Sequence, residues 1–138
     1  MILIDTNVIS EMLRPAPAPQ VAAWLAAQPG PEVHLSALTE AELRYGLAVM
    51  PAGTRRDRLA EAVAAILAED FAGRILPFDS AAAAAYAGIA AARRASGRPI
   101  SQFDAQIAAI ARTHGAVLAT RNVADFEGCG VAVVDPWG

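Results

Sequence analysis

Five short runs of strand-forming residues, separated by longer stretches with helical spacing, extend from one end of this sequence to the other. Ile2-Leu3-Ile4, Val33-His34-Leu35, Arg74-Ile75-Leu76, Val117-Leu118-Ala119 and Val131-Ala132-Val133-Val134 are the strand candidates. Between them the apolar residues recur at helical spacing, as in Leu59, Val63, Ile66 and Leu67 at i, i+4, i+7 and i+8, which is the period of a helix face. Helices are expected over Val8–Leu13, Pro19–Gln28, Leu38–Met50, from Thr54 onward, from Asp79-Ser80 to Gly97, and over Gln102–His114. Pro15, Pro17 and Pro19 make a stiff connector, because each proline fixes φ and disfavours helix just before it. Strands joined by helical crossovers pair in parallel and are covered on both faces. The expectation is therefore an α/β fold, an α/β/α sandwich on a mainly parallel sheet of about five strands.

No repeat, linker or compositional break divides the 138 residues, so one domain spanning residues 1–138 is expected. With 55% hydrophobic and 18% charged residues the chain has the apolar surface to build a core, which excludes a disordered protein. Eleven basic against 14 acidic residues give a net charge of −3, which excludes a sequence-blind coat for nucleic acid. All the basic residues are arginine. A single cysteine, Cys129, excludes a disulfide scaffold, and with only two histidines there is no Cys/His zinc set. The start, Met1 to Asp5, lacks the charged region of a secretory signal, and the apolar run Ala81–Ala92 is too short to cross a bilayer. A cytoplasmic protein with no membrane partner is expected.

In an open parallel sheet ligands gather at the carboxyl ends of the strands. Asp5, Glu42, Asp79, Asp104, Asp125 and Asp135 all fall near such ends. Each also has a local explanation, Asp5 least readily, although Asp5-Thr6-Asn7 before a helix could itself be a cap. Thr39-x-x-Glu42, Ser101-x-x-Asp104 and Asn122-x-x-Asp125 have capping-box spacing, Asp79 suits an N-cap, and Asp135 suits a turn. Glu42, on a face with Leu38, Tyr45 and Val49, and Asp104, beside Phe103 and Ile107, border apolar stripes where an unpaired charge is costly. Without lysine, and with most arginines elsewhere, a hard divalent cation is the natural partner for converging carboxylates.

The ordered set Ile2-Leu3-Ile4-Asp5-Thr6-Asn7-Val8, Ser36-x-x-Thr39-x-x-Glu42-Leu43-x-x-Gly46, Asp104-x-x-Ile107-Ala108, Thr120-Arg121-Asn122-x-x-Asp125-Phe126 and Val133-x-Asp135-Pro136-Trp137 resembles the PIN-domain family. Within it the likeness is to VapC-type toxin ribonucleases of the FitB-like branch, over essentially the whole chain. That resemblance implies a metal-dependent endoribonuclease with Asp5, Glu42, Asp104 and Asp125 as its acidic quartet. Asp5 and Asp104 would hold Mg²⁺, or Mn²⁺ in its place. Glu42, Asp125 and Asn122 would contribute directly or through water. Asn122 stands where some relatives carry an acid, and Thr6, Ser36 and Thr120 match polar positions lining the family's site. The resemblance further implies a homodimer, an RNA substrate and a cognate VapB/FitA-like antitoxin.

Attack by a metal-activated water predicts 5′-phosphate and 3′-hydroxyl ends. Arg44, Arg112 and Arg121, near the motif segments, are candidate contacts to RNA phosphates, although each also suits a solvated salt-bridging face. Two other readings stay open. One is a binding module whose acidic pocket receives an arginine from a partner and cleaves nothing. The other is an aspartyl-phosphate domain of phosphatase or receiver type built on Asp5, weakened by the lack of a second nearby acid and of any lysine.

Overall fold

The computed structural model describes residues 1–138. Strands β1 (Ile2–Ile4), β2 (Val33–Ser36), β3 (Ile75–Leu76), β4 (Val117–Ala119) and β5 (Val133–Val134) form one sheet in the order β3-β2-β1-β4-β5. Every pairing is parallel, with Ile2 opposite both Val33 and Val117. Helices α1 (Thr6–Met12), α2 (Pro19–Ala26), α3 (Ala37–Val49), α4 (Thr54–Ala65), α5 (Ser80–Ala95) and α6 (Gln102–His114) make the crossovers.

Successive strand residues point to opposite faces, and two cores follow from that alternation. Leu3 and Leu118 join buried residues of α5 and α6, including Ile89, Ile107 and Ile110. Ile4, Leu35 and Ala119 join the opposite core with Val8, Val21, Leu43 and Val63 from α1 to α4. The chain steps from β1 outward to β2 and β3, then returns to lay β4 on the other side of β1. Right-handed crossovers require the helices to change faces at that reversal. The sheet therefore has a topological switch point between β1 and β4, where their carboxyl ends diverge.

The α/β/α sandwich expected from the sequence is the fold observed, with local differences. The first helix starts at Thr6 rather than Val8, because the Asp5 side chain accepts a hydrogen bond from the Thr6 amide. A 3₁₀ turn covers Gly30–Glu32, and α4 widens into a π-turn over Ile66–Asp70 before the chain reaches β3. The last strand covers two residues rather than four. Gly128 and Gly130, both at positive φ, hold the preceding segment in turns and delay its entry into the sheet. Helix α6 ends on Gly115 in the left-handed conformation and passes through Ala116 directly into β4. That short link ties the last turn of α6 to the start of β4 and leaves its first turn, with Asp104, toward the carboxyl edge of the sheet.

Candidate functional site

Asp5 follows the last residue of β1, at the switch point. Its backbone amide continues the ladder by donating to Ala119 (2.9 Å), so strand register fixes where it sits. One carboxylate oxygen, Oδ1, caps α1 through the Thr6 amide (2.7 Å), and Oδ2 accepts from the Thr120 hydroxyl (2.9 Å). Thr120, fully buried at the end of β4, in turn accepts from Asn7 Nδ2 (3.2 Å) and the Asn122 amide (3.1 Å). Asp5 is 5% exposed, yet no arginine reaches it. Burial holds its carboxyl above the ordinary aspartate range, and the negative charges of Asp104 and Glu42 push the same way; the Thr120 and Thr6 hydrogen bonds pull it back.

Glu42 comes from the second turn of α3. The helix is capped by Ser36, whose hydroxyl accepts from the Thr39 amide (3.1 Å). Thr39 is thus inside the helix rather than at its cap, and the capping-box reading of Thr39 and Glu42 does not hold. Glu42 instead accepts from the Thr6 hydroxyl through Oε1 (2.8 Å). A hydroxyl carries one proton, so the direction of the whole chain is settled. Thr6 donates to Glu42, Thr39 must then donate to Thr6 (3.0 Å), and Ser36 donates to Thr39 (3.4 Å). Three side-chain hydroxyls, two of them fully buried, end on one exposed carboxylate. The expected apolar stripe beside Glu42 is also corrected: Tyr45 and Val49 are 70% and 62% exposed, because α3 presents that face to solvent.

Asp104 lies in the first turn of α6, its amide capped by the Ser101 hydroxyl (3.1 Å). It is half-buried, and its carboxyl is raised chiefly by burial, with the negative charge of Asp125 adding to the effect; the Ser101 hydrogen bond and the positive charge of Arg93 pull it back. Asp125 is exposed on a 3₁₀ turn, Val123–Phe126. A pocket of about 390 Å³ brings together Asp5, Thr6, Ser10, Glu42, Asp104 and Asn122; Asp125 stands outside its lining, near enough for its charge to be felt at Asp104. Asp79 and Asp135 make only local bonds, to the amides of Ala82 and Trp137.

The donors around this pocket are oxygens throughout, apart from the Asn amide nitrogens. At no point do three His, Cys, Asp or Glu side chains stand within ligating reach together. That set suits a cation that keeps much of its water and takes one or two carboxylates, as Mg²⁺ does, and does not suit zinc. The candidate phosphate contacts are scattered. Arg44 pairs with Glu40 on α3 (2.8 Å), and Arg112 is in the last turn of α6, packed beside Gly130. Arg121 stacks its guanidinium over Trp137 at 5.0 Å, where its charge is felt at Glu11, while its amide donates to Asn7 Oδ1 (3.4 Å).

Sequence reading missed Asn7 and Thr39, which hold the hydroxyls next to the acids. It also missed Glu11, a buried carboxylate that accepts from the Ala18 amide (3.0 Å) and Arg14 and closes the proline connector. A second, larger cleft of about 940 Å³ lies between α1, α3 and α4. It is floored by Leu13, Leu43, Leu47 and Leu59, rimmed by Arg14, Arg55 and Arg58, and reaches Thr6 and Glu42 at one end.

Comparison with known proteins agrees with this architecture. The PIN domain family matches residues 2–127. The VapC ribonuclease Y4jK of Sinorhizobium fredii is 44% identical over 99% of this chain and 98% of its own. The toxin FitB of Neisseria gonorrhoeae is 46% identical over 99% of each chain. In a solved structure of FitAB bound to an IR36 DNA fragment, the matching chain superposes with a TM-score of 0.95 at 45% identity, covering 100% of this chain and 96% of that one.

Proposed function

The chain belongs to the PIN-domain family, and on that premise we propose that it is a toxin of a type II toxin–antitoxin pair, acting as a Mg²⁺-dependent endoribonuclease that also accepts Mn²⁺. The observation that carries the reading is Asp5: buried at the switch point, facing the charges of Glu42 and Asp104, and neutralised by no side-chain cation. In this proposal Asp5 and Asp104 hold the metal, with Glu42, Asn122 and Asp125 acting directly or through water. A divalent ion supplies the Lewis acidity that makes water nucleophilic near neutral pH and offsets charge on the scissile phosphate.

The protein groups have distinct tasks. Thr120 fixes Asp5 Oδ2, and Asn7 fixes Thr120. The hydroxyl chain from Ser36 through Thr39 to Thr6 occupies Oε1 of Glu42 and leaves Oε2 without a protein partner, where it is placed to accept a proton from water. No histidine or lysine is at hand for a metal-free route through the 2′-hydroxyl, so water is the nucleophile and the products carry 5′-phosphate and 3′-hydroxyl ends. Arg121, whose amide bonds to Asn7, is the candidate phosphate contact tied to the residues that hold Asp5. The remaining elements of the proposal are a cytoplasmic homodimer, residues 1–138 of each copy folding as one domain, and a cognate VapB/FitA-like antitoxin that silences it. The cleft beside Glu42 favours such a partner, because an apolar floor suits a peptide and an arginine could take the metal's place among the carboxylates.

The test is RNA cleavage by Asp5→Asn and Asp104→Asn in Mg²⁺ or Mn²⁺. Both are expected to lose at least about a hundredfold in rate while keeping wild-type circular dichroism, an order of loss comparable to removing one key electrostatic group. Cleavage by either variant at the wild-type rate would overturn the site. A protein that binds its partner tightly yet leaves RNA intact in both metals would establish the non-cleaving binding module instead.

A further inference from the structure

Arg93, in the last turn of α5, is buried (7% exposed) and makes no ion pair. Its guanidinium bonds to main-chain carbonyls instead. Nη1 donates to the carbonyls of Asp125 (2.8 Å) and Glu127 (3.0 Å) and touches Cys129 Sγ (3.5 Å); Nε donates to the carbonyl of Arg98 (2.7 Å). A buried charge is expensive unless its hydrogen bonds are met, and a lasting unpaired guanidinium calls for a reason. The residues it grips supply one. The turn carrying Asp125 is closed by bonds of its own, Asp125 amide to Asn122 and Glu127 amide to Ala124, which set its shape but not its place. Beside Phe126 and Cys129 in the core, its hydrogen-bonded ties to the α5–α6 unit come from Arg93 and, on the surface, from the Arg98–Glu127 ion pair. The planar fork can hold two carbonyls of a turn and one of a neighbouring loop at fixed angles, which an ammonium cannot.

We propose that Arg93 is a positioning residue, which clamps the Asp125 turn against the α5–α6 loop and so sets the distance of the Asp125 carboxylate from Asp104. The proposal rests on the nuclease reading above. It requires that Arg93 act through Asp125, beyond its share in fold stability and beyond its positive charge at Asp104, whose loss alone would strengthen cation binding rather than weaken it.

Mn²⁺ binding, followed by the loss of the free-ion paramagnetic resonance signal, reads this without any turnover. Arg93→Met is expected to weaken Mn²⁺ binding about tenfold or more, the usual cost of removing a group that orients a ligand. Cleavage at saturating Mn²⁺ should return toward wild type, while the metal needed for half-maximal rate rises by the same factor. In an Asp125→Asn background the same substitution should add little, because both changes remove one interaction. Arg93→Lys, which keeps the charge but not the fork, should fall between wild type and Arg93→Met. If Arg93→Met does not fold, Arg93→Lys decides. Wild-type Mn²⁺ affinity in the folded variant, or additive losses in the double variant, would overturn the clamp, as would wild-type affinity in Asp125→Asn alone. Failure of the underlying nuclease reading looks different: Asp5→Asn would bind Mn²⁺ and cut RNA as the wild type does.

Discussion

The two helical layers differ in the size of their apolar residues and end in opposite states. Over one face, α5 and α6 bury Ala82, Ala105, Ala108, Ala109 and Ala111 in one core, where small side chains let backbones approach closely. Over the other, α1, α3 and α4 are held apart by Leu13, Leu43, Leu47 and Leu59, and the space left between them opens toward Glu42. Small side chains make a wall and long ones make a groove. The acids stand on the seam, with Asp104 rooted in the closed layer and Glu42 in the open one.

Substitutions in the two layers should therefore differ in cost. Ile110→Ala, in the closed wall, is expected to lose about 2–5 kcal/mol in urea unfolding, since nothing can move in to fill the gap. A loss below about 1 kcal/mol would mean the wall is looser than its burial implies. Ala108→Leu should cost about 1–3 kcal/mol through overpacking. Leu47→Ala, half-buried beside open space, should cost less than about 1 kcal/mol; if it matched Ile110→Ala, the cleft would have to be closed in solution.

The smallest expected effect concerns the seam. Asp104 keeps its proton to higher pH in the folded state than unfolded, so the native state binds more protons between its ordinary and raised values. Stability of the metal-free protein from this group then falls as pH rises through that window and stays reduced above it. Asp104→Asn removes the penalty. It should raise the metal-free melting temperature by about 1 °C at neutral pH, with the gain vanishing as pH drops below the ordinary aspartate range. A gain that persisted in acid would show that Asp104 carries no such penalty.

Much of this was legible in the residue pattern. The strand at Ile2–Ile4, the crossover helices and the single-residue caps at Asp79 and Ser101 depend on neighbours within a few positions, and they are where periodicity and capping put them. Glu42 was placed on an apolar stripe because Tyr45 and Val49 share its helical face; which face of α3 turns inward is decided by Leu43 and Thr39 packing on other elements. Thr39 itself was hidden by a capping spacing that Ser36 fulfils in its stead. Arg93 gave no signal at all, since a carbonyl-clamping arginine has no spacing rule and two of its three carbonyl acceptors lie 32 and 34 residues away.

What the sequence by itself determined is local: which segments extend, which coil, and that acids follow the strand ends. Only the tertiary structure decided that Asp5, Glu42 and Asp104 share one pocket while Asp125 stands at its rim. The order of strands about β1 and the hand of the crossovers set those distances, and neither is written in any short stretch of chain.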